Sequence, residues 1–317
     1  MRWDKAKTLM IALFLLLNVF LGYINILQPY QLSYQRRQNE AAMHQYALTE
    51  LETAHIVLEQ RPSQYAANIA PVLLGSSPLW QPEALAAGFF QGDAYHSERI
   101  LTLTGDQLWR FSQGEELLEV AADGRWYYRR NPADNLQPVA TESLTSAFTA
   151  EQAKALAEAF LKSRNIALPK DVHLSTPAHA WQSTAQADEY TIVWCLQVDG
   201  AEVFDVELSL SVDADGVRSG YSTLRSVEQR QAALSTNSSG DILLWLQEDS
   251  YASQLALTHW LKTGQPLAIC EMRLGLFTGL AIANTASPIA AQPAWRIVLH
   301  SGETIYMNAL NGERFFP

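Results

Sequence analysis

The residue pattern at the start of the chain constrains its fold more than any other feature. Three basic residues, Arg2, Lys5 and Lys7, precede an apolar stretch that covers residues 9–27. A helix of about 20 residues spans the hydrocarbon core of a bilayer, and in lipid a helix satisfies its own backbone hydrogen bonds. The sequence therefore predicts a cytoplasmic head at residues 1–8 and a single transmembrane helix at residues 9–27.

The same segment predicts how the chain is placed in the membrane. Basic residues before a span favour a cytoplasmic N-terminus, so we expect the bulk of the chain to be extracytoplasmic. The apolar stretch is longer than the core of about 7–15 residues found in signal peptides, and no small-residue cleavage site follows Leu27. We therefore expect an uncleaved, single-pass anchor in the cell membrane.

The head and span contain, in this order, Trp3, Lys5, Lys7, Thr8, Phe14, Asn18, Phe20 and Leu21. This order resembles the opening of the YycI/YycH family, although Arg2 departs from the acidic or amide residue expected there. Members of that family are membrane-anchored regulators of the essential WalK (YycG) sensor histidine kinase, whose pathway governs cell-wall turnover. The resemblance implies a YycI-type protein that contacts this kinase, together with a YycH-like protein, and restrains its autophosphorylation.

A partner-binding site on the membrane helix is the hypothesis that follows. Asn18 would lie near the middle of the bilayer, where an amide favours a hydrogen bond to another helix; the alternative is that Asn18 has no such role. Trp3, just before the span, fits an anchor at the membrane interface. We expect the helix to bind its partner through Trp3, Phe14, Asn18, Phe20 and Leu21.

Composition limits the remaining possibilities. The chain has 317 residues, of which 48% are hydrophobic and 17% charged, so its ectodomain can bury a core. The net charge of −11 argues against nucleic acid as a partner, because nucleic acid requires clustered Lys and Arg. The two cysteines, Cys195 and Cys270, lie in strand-like runs; a disulfide is possible outside the cytoplasm, but the pattern favours two free, buried thiols.

The first part of the ectodomain changes character along its length. Residues 28–53 are polar with apolar positions at helical spacing, which predicts a helical stalk. This stalk would be either a spacer or a docking helix. Residues 54–140 form a β-rich segment in which short strands alternate with turns such as Gln113-Gly114 and Asp123-Gly124, a pattern typical of an antiparallel meander.

The second part contains two similar segments, predicted as α+β repeat units at residues 149–230 and 241–317. Thr149 and Asp249 are good helix N-caps, and Thr149 forms a capping box with Gln152. Each helix would bury one apolar face, formed by Ala153, Leu156, Ala157 and Phe160 in the first and by Leu255, Leu257, Trp260 and Leu261 in the second.

Strands follow each of these helices, so each unit would be a helix on a small antiparallel sheet. The ending at residues 306–313 resembles the closing hairpin of PepSY-like modules. The predicted class is therefore α+β: one transmembrane helix, then an extracytoplasmic antiparallel β-rich segment and two PepSY-like units.

Motifs that would indicate catalysis are missing from the sequence. It contains no nucleophile elbow, phosphate-binding loop or dinucleotide fingerprint. His173 and His179 would need a third metal ligand that the sequence does not place near them. Asp213 and Asp215 resemble the start of a calcium loop, but no carboxylate occupies its last position, so a hairpin turn explains them. We expect no enzymatic activity, no cofactor and no metal site.

Two functions remain open at this point. The first is a non-enzymatic, membrane-anchored regulator that binds and inhibits the kinase, with the kinase, a YycH-like protein and the membrane as partners. The alternative is a PepSY-like envelope inhibitor or chaperone of a hydrolase or protease, which would need only the ectodomain.

Overall fold

The computed structural model describes residues 14–18, 20, 28–59, 62, 67–77, 81–91, 93–102, 107–130, 148–174, 189–279 and 288–315. These residues form an α+β structure, as predicted for the class. Within them, no helix has both the length and the hydropathy needed to cross a membrane. The predicted span at residues 9–27 lies largely outside the described residues.

The helices are α1 (Gln28–Thr53), α2 (Pro82–Phe89), α3 (Ala150–Ser163), α4 (Ser239–Glu248) and α5 (Ser250–Thr263). The strands are β1 (Ile56–Leu58), β2 (Asn68–Ile69), β3 (Val72–Leu74), β4 (His96–Leu101), β5 (Gln107–Gln113), β6 (Glu116–Ala121), β7 (Trp126–Arg130), β8 (Val172–Leu174), β9 (Tyr190–Val198), β10 (Ala201–Asp213), β11 (Gly216–Ser222), β12 (Val227–Arg230), β13 (Leu234–Ser235), β14 (Leu267–Phe277), β15 (Ile289–Leu299), β16 (Thr304–Asn308) and β17 (Arg314–Phe315).

The chain divides into two compact units. Unit one comprises residues 1–58 and 238–268, and unit two comprises residues 59–237 and 269–317. The segment predicted as the second α+β repeat is therefore distributed over both. Its helix, α5, belongs to unit one, whereas β15, β16 and β17 belong to unit two.

Unit one is built on the packing of α1 against α4. His44, Ala47 and Leu51 of α1 are buried and lie on one helical stripe. Gly240 of α4 faces this stripe so closely that an added Cβ would lie 2.9 Å from the backbone nitrogen of His44. The Ser239 hydroxyl, also buried, lies 3.4 Å from Nδ1 of His44. Small residues on α4 thus permit the close approach of the two helices.

Two consecutive N-caps define α4 and α5. Ser238 caps α4 in a capping box with Asp241, and the carboxylate of Asp249 accepts a hydrogen bond from the backbone N–H of Ala252 at the start of α5. The predicted cap at Asp249 is confirmed. The preceding helix α4 was not predicted, because residues 235–240 were interpreted as the boundary between the two repeat units. The signal for this helix is the spacing of Ser238 and Asp241, which is that of a capping box.

Unit two contains a large mixed sheet with the strand order β12-β3-β15-β14-β10-β11-β7-β6-β5-β4. Strands β9 and β8 extend from β10, and β16 and β17 extend from β15. The pairs are antiparallel except β10 with β14, which run parallel at Val203 and Leu276. The prediction of two separate small antiparallel sheets is therefore wrong, because this parallel pairing joins their strands in one sheet.

A glycine permits that pairing. A Cβ at Gly275 would lie 2.5 Å from the backbone oxygen of Glu202 and 2.6 Å from Cζ of Phe204. Both distances are shorter than a normal contact, and the first involves backbone that cannot rotate away. Any larger residue at position 275 would push β14 from β10.

The meander predicted for the β-rich segment is confirmed by the antiparallel ladders β4–β5, β5–β6 and β6–β7. Gly114 and Gly124 have positive φ angles of 58° and 86° at its turns, where glycine is favoured. Helix α2, at residues 82–89, was predicted as part of the strand-rich segment. The missed signal is Pro82 at the first helical position, followed by Glu83.

Helix α3 has the predicted capping box. The backbone N–H of Gln152 donates to Thr149 Oγ1 at 3.3 Å, and the backbone N–H of Thr149 donates to Gln152 Oε1 at 2.9 Å. The predicted buried face is confirmed for Ala153 and Ala157 and wrong for Leu156, which is exposed. Phe160 packs on Tyr128 of the meander, with ring centroids 5.2 Å apart.

The two ends of the strand order carry charged, exposed residues. Strand β4 includes Glu98 and Arg99, and β12 includes Glu228 and Arg230; all four side chains are exposed. Charge on terminal strands is a common feature of natural sheets.

A buried ion pair connects distant segments of unit two. Arg225 Nη2 lies 3.1 Å from Asp123 Oδ2, and both side chains are nearly inaccessible to solvent. Arg225 Nη1 donates to the backbone oxygen of Gly75 at 3.2 Å, and Arg125 Nε lies 2.7 Å from the same carboxylate of Asp123. Burial lowers the pKa of Arg225, so its charge depends on the carboxylate for compensation.

The substitution Gly275→Ala should destabilise unit two by about 1–3 kcal/mol, the usual cost of overpacking. The new Cβ would collide with the backbone of Glu202. Chemical denaturation of the purified chain measures the change. Ala290→Val, which adds bulk at an exposed position of β15, is the matched control and should have little effect; equal effects of the two variants would contradict the packing argument.

The substitution Asp123→Asn should cost about 3–5 kcal/mol, because it leaves the guanidinium of Arg225 buried without a counter-charge. The control is Asp215→Asn, which removes an exposed partner of Arg218 and should cost at most about 1 kcal/mol. Thermal unfolding measures the loss of stability in both variants. If Asp123→Asn is as stable as the wild type, the ion pair of Asp123 with Arg225 contributes nothing to stability.

Candidate functional site

The residues predicted to bind a partner on the membrane helix are described only in part. Phe14, Asn18 and Phe20 are helical and exposed, whereas Trp3 and Leu21 lie outside the described residues. Asn18 Nδ2 donates to the backbone oxygen of Phe14 at 3.0 Å. An amide has a second N–H and an acceptor oxygen, so this bond is compatible with a contact to another helix.

Helix α5 presents large apolar side chains to solvent. Leu257, Trp260 and Leu261 are 50%, 39% and 70% exposed. They are three and four positions apart and therefore share one side of the helix. We call these three residues the α5 apolar surface. The prediction that they form a buried face is wrong, because α5 instead buries the small residues Ala252 and Ala256.

The tryptophan of the α5 apolar surface is held in a fixed orientation. Its ring stacks on the imidazole of His55, with centroids 4.5 Å apart and an angle of 8° between the planes. The carbonyl of His55 in turn accepts a hydrogen bond of 2.8 Å from the backbone N–H of Leu267. A side chain ordered before binding loses less conformational entropy on association, so Trp260 is suited to anchor a partner.

The same unit exposes two further apolar side chains on α1. Met43 and Tyr46 are exposed, whereas His44, which follows Met43, and Ala47, which follows Tyr46, are buried. Unit one therefore offers apolar side chains on two of its helices. Contiguous or repeated exposure of large apolar groups is typical of surfaces that bind other proteins.

In unit two, charged residues form a closed network at the junction of β10 and β14. Glu202 lies 2.9 Å from Arg273 and 3.4 Å from Arg296, and Glu271 lies 3.1 Å and 2.8 Å from the same two guanidinium groups. The guanidinium of Arg296 also lies over the ring of Phe204, 4.7 Å from its centroid.

The chemistry of this network is structural. Two carboxylates and two guanidinium groups cancel in charge, and each carboxylate bonds to both arginines. Burial lowers the pKa of Arg296, but Glu202 and Glu271 outweigh it, so the pKa is raised overall and the guanidinium stays charged.

Glu207 lies beside this network in a different environment. Burial raises the pKa of its carboxyl. The hydrogen bond from the Tyr221 hydroxyl and the charge of Arg296 lower this pKa, whereas the charges of Glu202 and Asp205 raise it further. Tyr221 is 40% exposed, and its partial burial and the charge of Glu207 raise its pKa. The pair has an apolar and acidic setting that favours the protonated forms of both groups.

A third cluster in unit two joins residues from three segments. Cys270 Sγ lies 3.6 Å from His300 Nδ1, which lies 3.9 Å from Glu59 Oε1. Burial and the neighbouring carboxylate of Glu59 raise the pKa of the Cys270 thiol. Sequence reasoning missed this cluster because its members are far apart along the chain and form no spaced motif.

The remaining sequence candidates have other roles. His173 is exposed on β8 and His179 lies outside the described residues. Asp213 and Asp215 both bond to Arg218 in the β10–β11 hairpin, which confirms the hairpin interpretation of this turn. Cys195 is buried as predicted, but Cys270 is partly exposed.

The raised pKa of Glu207 predicts a pH dependence of stability. The unfolded-state pKa of a glutamate is about 4.3, and the folded-state pKa of Glu207 lies above it. The stabilising contribution of Glu207 is therefore complete at pH values below the unfolded-state pKa. It is lost as the pH rises through the folded-state pKa. Glu207→Gln cannot ionise and still accepts the Tyr221 hydrogen bond. Its stability relative to the wild type should therefore increase as the pH is raised from about 4 to about 8.

Denaturation curves across this pH range test the prediction. Tyr221→Phe is the companion variant: it removes a bond that lowers the pKa of Glu207, so its stability should fall more steeply with rising pH than that of the wild type. A constant difference between wild type and Glu207→Gln at all pH values would contradict the assignment.

No protein-family model matches the chain, and no curated protein sequence matches it.

Proposed function

We propose that the chain is a non-enzymatic, membrane-anchored regulatory protein that binds and inhibits the WalK (YycG) sensor histidine kinase, together with a YycH-like protein. The observation on which this proposal depends most is the α5 apolar surface, since an exposed and partly ordered aromatic group with two leucines is a feature of protein-binding surfaces. The resemblance of the head residues to the YycI/YycH family supplies the identity of the partner. The finer architecture, one transmembrane helix and two PepSY-like units, belongs to the same proposal.

The strength of the α5 contact is limited. Full burial of a leucine contributes about 1.5–3 kcal/mol, and these side chains are already partly covered in the free chain. Three of them would together contribute only a few kcal/mol, roughly enough for a weak complex. A weak contact suffices when both proteins are anchored in one membrane, because tethering raises their effective concentration.

Inhibition would then require two contacts. The anchor would place Asn18 beside the membrane helices of the kinase, and the α5 apolar surface would bind its extracytoplasmic part. A ligand shifts a conformational equilibrium only by its difference in affinity for the two states. We therefore expect the chain to bind the inactive state of the kinase more tightly than the active state.

The alternative function is a PepSY-like inhibitor or chaperone of an envelope hydrolase or protease. It is favoured by the location of the α5 apolar surface, which lies outside residues 9–27. In that case the surface would bind an enzyme of the envelope, and substitutions in the anchor would have no effect.

Kinase autophosphorylation in membranes containing the full chain tests both proposals. Leu257→Ser combined with Leu261→Ser should raise the amount of chain needed for half inhibition at least about tenfold, a loss of about 1.4 kcal/mol of binding energy. Asn18→Leu should also weaken inhibition. The matched control is Leu156→Ser, which changes a leucine of α3 that is also exposed and should inhibit as the wild type does.

Three results would contradict the kinase proposal. The first is that the full chain leaves autophosphorylation unchanged, and the second is that the α5 variant and Asn18→Leu both inhibit as the wild type does. In the third case Leu156→Ser would weaken inhibition as much as the α5 variant does, which would show a general effect of surface polarity. An effect of the α5 variant on an envelope hydrolase alone would support the alternative function.

A further inference from the structure

Glu59, Cys270 and His300 bring three metal-ligating side chains together in unit two. One ligand atom from each lies within 4.8 Å of the other two. The side chains of His300 and Glu59 are 71% and 47% exposed, and Cys270 is partly exposed. An ion in solution can therefore reach all three.

The backbone holds the three residues in place. Cys270 lies where the register of β14 against β15 shifts, between Ile269 and Glu271, and such irregularities redirect a side chain. His300 directly follows β15 in the turn to β16. The backbone N–H of Glu59 donates to the carbonyl of Ile269 at 3.0 Å, which fixes Glu59 beside the cysteine.

The cysteine–histidine distance matches that of a tetrahedral zinc site, whereas the histidine–glutamate distance is longer. With Zn–S of about 2.3 Å and Zn–N of about 2.0 Å, tetrahedral angles place sulfur and nitrogen about 3.5 Å apart and nitrogen and oxygen about 3.3 Å apart. The observed values are 3.6 Å for Cys270 Sγ to His300 Nδ1 and 3.9 Å for His300 Nδ1 to Glu59 Oε1. Small rotations of two exposed side chains would close the remaining difference.

We propose that Glu59, Cys270 and His300 bind a divalent transition-metal ion of the zinc type, with water in the fourth position. The ligand set decides the class of metal: thiolate and imidazole suit Zn²⁺, whereas Mg²⁺ and Ca²⁺ prefer oxygen ligands only. On binding, the thiol of Cys270 releases its proton to solvent and its sulfur bonds to the metal. The argument for this site does not depend on the proposed kinase regulation.

The other explanation of the cluster is a hydrogen-bonded group without a metal. The distance between Cys270 and His300 also fits a weak hydrogen bond to sulfur. The two explanations differ in whether the thiol becomes a ligand. A cobalt titration separates them, because a thiolate bound to Co²⁺ produces a charge-transfer absorption that a thiol does not.

The experiment is a titration of the full chain, purified in detergent, with Co²⁺ and then with Zn²⁺. We expect one Co²⁺ per chain, the thiolate-to-cobalt absorption, and its loss when Zn²⁺ displaces cobalt. Cys270→Ser should abolish the absorption, and His300→Ala should weaken Zn²⁺ binding at least about tenfold. Both positions are accessible to solvent, so these variants should fold.

The matched controls use the other cysteine and another exposed histidine. Cys195→Ser and His173→Ala should retain the absorption and the Zn²⁺ affinity of the wild type. Absence of the absorption in the wild type would overturn the proposal, as would unchanged Zn²⁺ affinity in both His300→Ala and Cys270→Ser. Normal Zn²⁺ binding in a variant that no longer inhibits the kinase would show that the two proposals stand separately.

Discussion

The close approach of β10 and β14 at Gly275 is the constraint on which the sheet of unit two depends. Without a side chain at that position, the backbone of Glu202 can come near enough for the parallel pairing of Val203 with Leu276. The ion network of Glu202 with Arg273 and Arg296 lies at the same junction. Its geometry therefore exists only if the glycine lets the strands meet.

The same junction shows what its charged residues do in unit two. Glu202 and Glu271 each lie within ion-pair distance of Arg273 and Arg296, so these charges neutralise one another and hold the strands together. Unit one differs in character, since its helix α5 buries small residues and exposes large apolar ones. The proposed function rests on this contrast, since we propose that unit one presents the surface that binds a partner.

The local elements of the fold could be predicted from the sequence because their signals are local. Strands follow helix α3 as predicted, at Val172–Leu174 and Tyr190–Val198, and the capping box at Thr149 is present as expected. Helices α2 and α4 had comparable local signals, namely Pro82 for α2 and the pair Ser238 and Asp241 for α4. These signals were missed because the residues around them have the composition of strands or of a linker.

What could not be predicted depends on contacts between distant residues. The apolar spacing of α5 shows that Leu257, Trp260 and Leu261 share a side of the helix, but it contains no information on what covers that side. The parallel pairing at Val203 and the cluster of Glu59, Cys270 and His300 are determined by tertiary structure. Neither feature produces a pattern of residue spacing along the sequence.

The charged strands at the two ends of the strand order affect how copies of this protein meet one another. An exposed terminal strand without charge can accept a strand from a neighbouring molecule, and this is a common route to aggregation. Glu98 and Arg99 on β4, and Glu228 and Arg230 on β12, make that addition costly. Strand exchange between copies through β4 or β12 is therefore disfavoured.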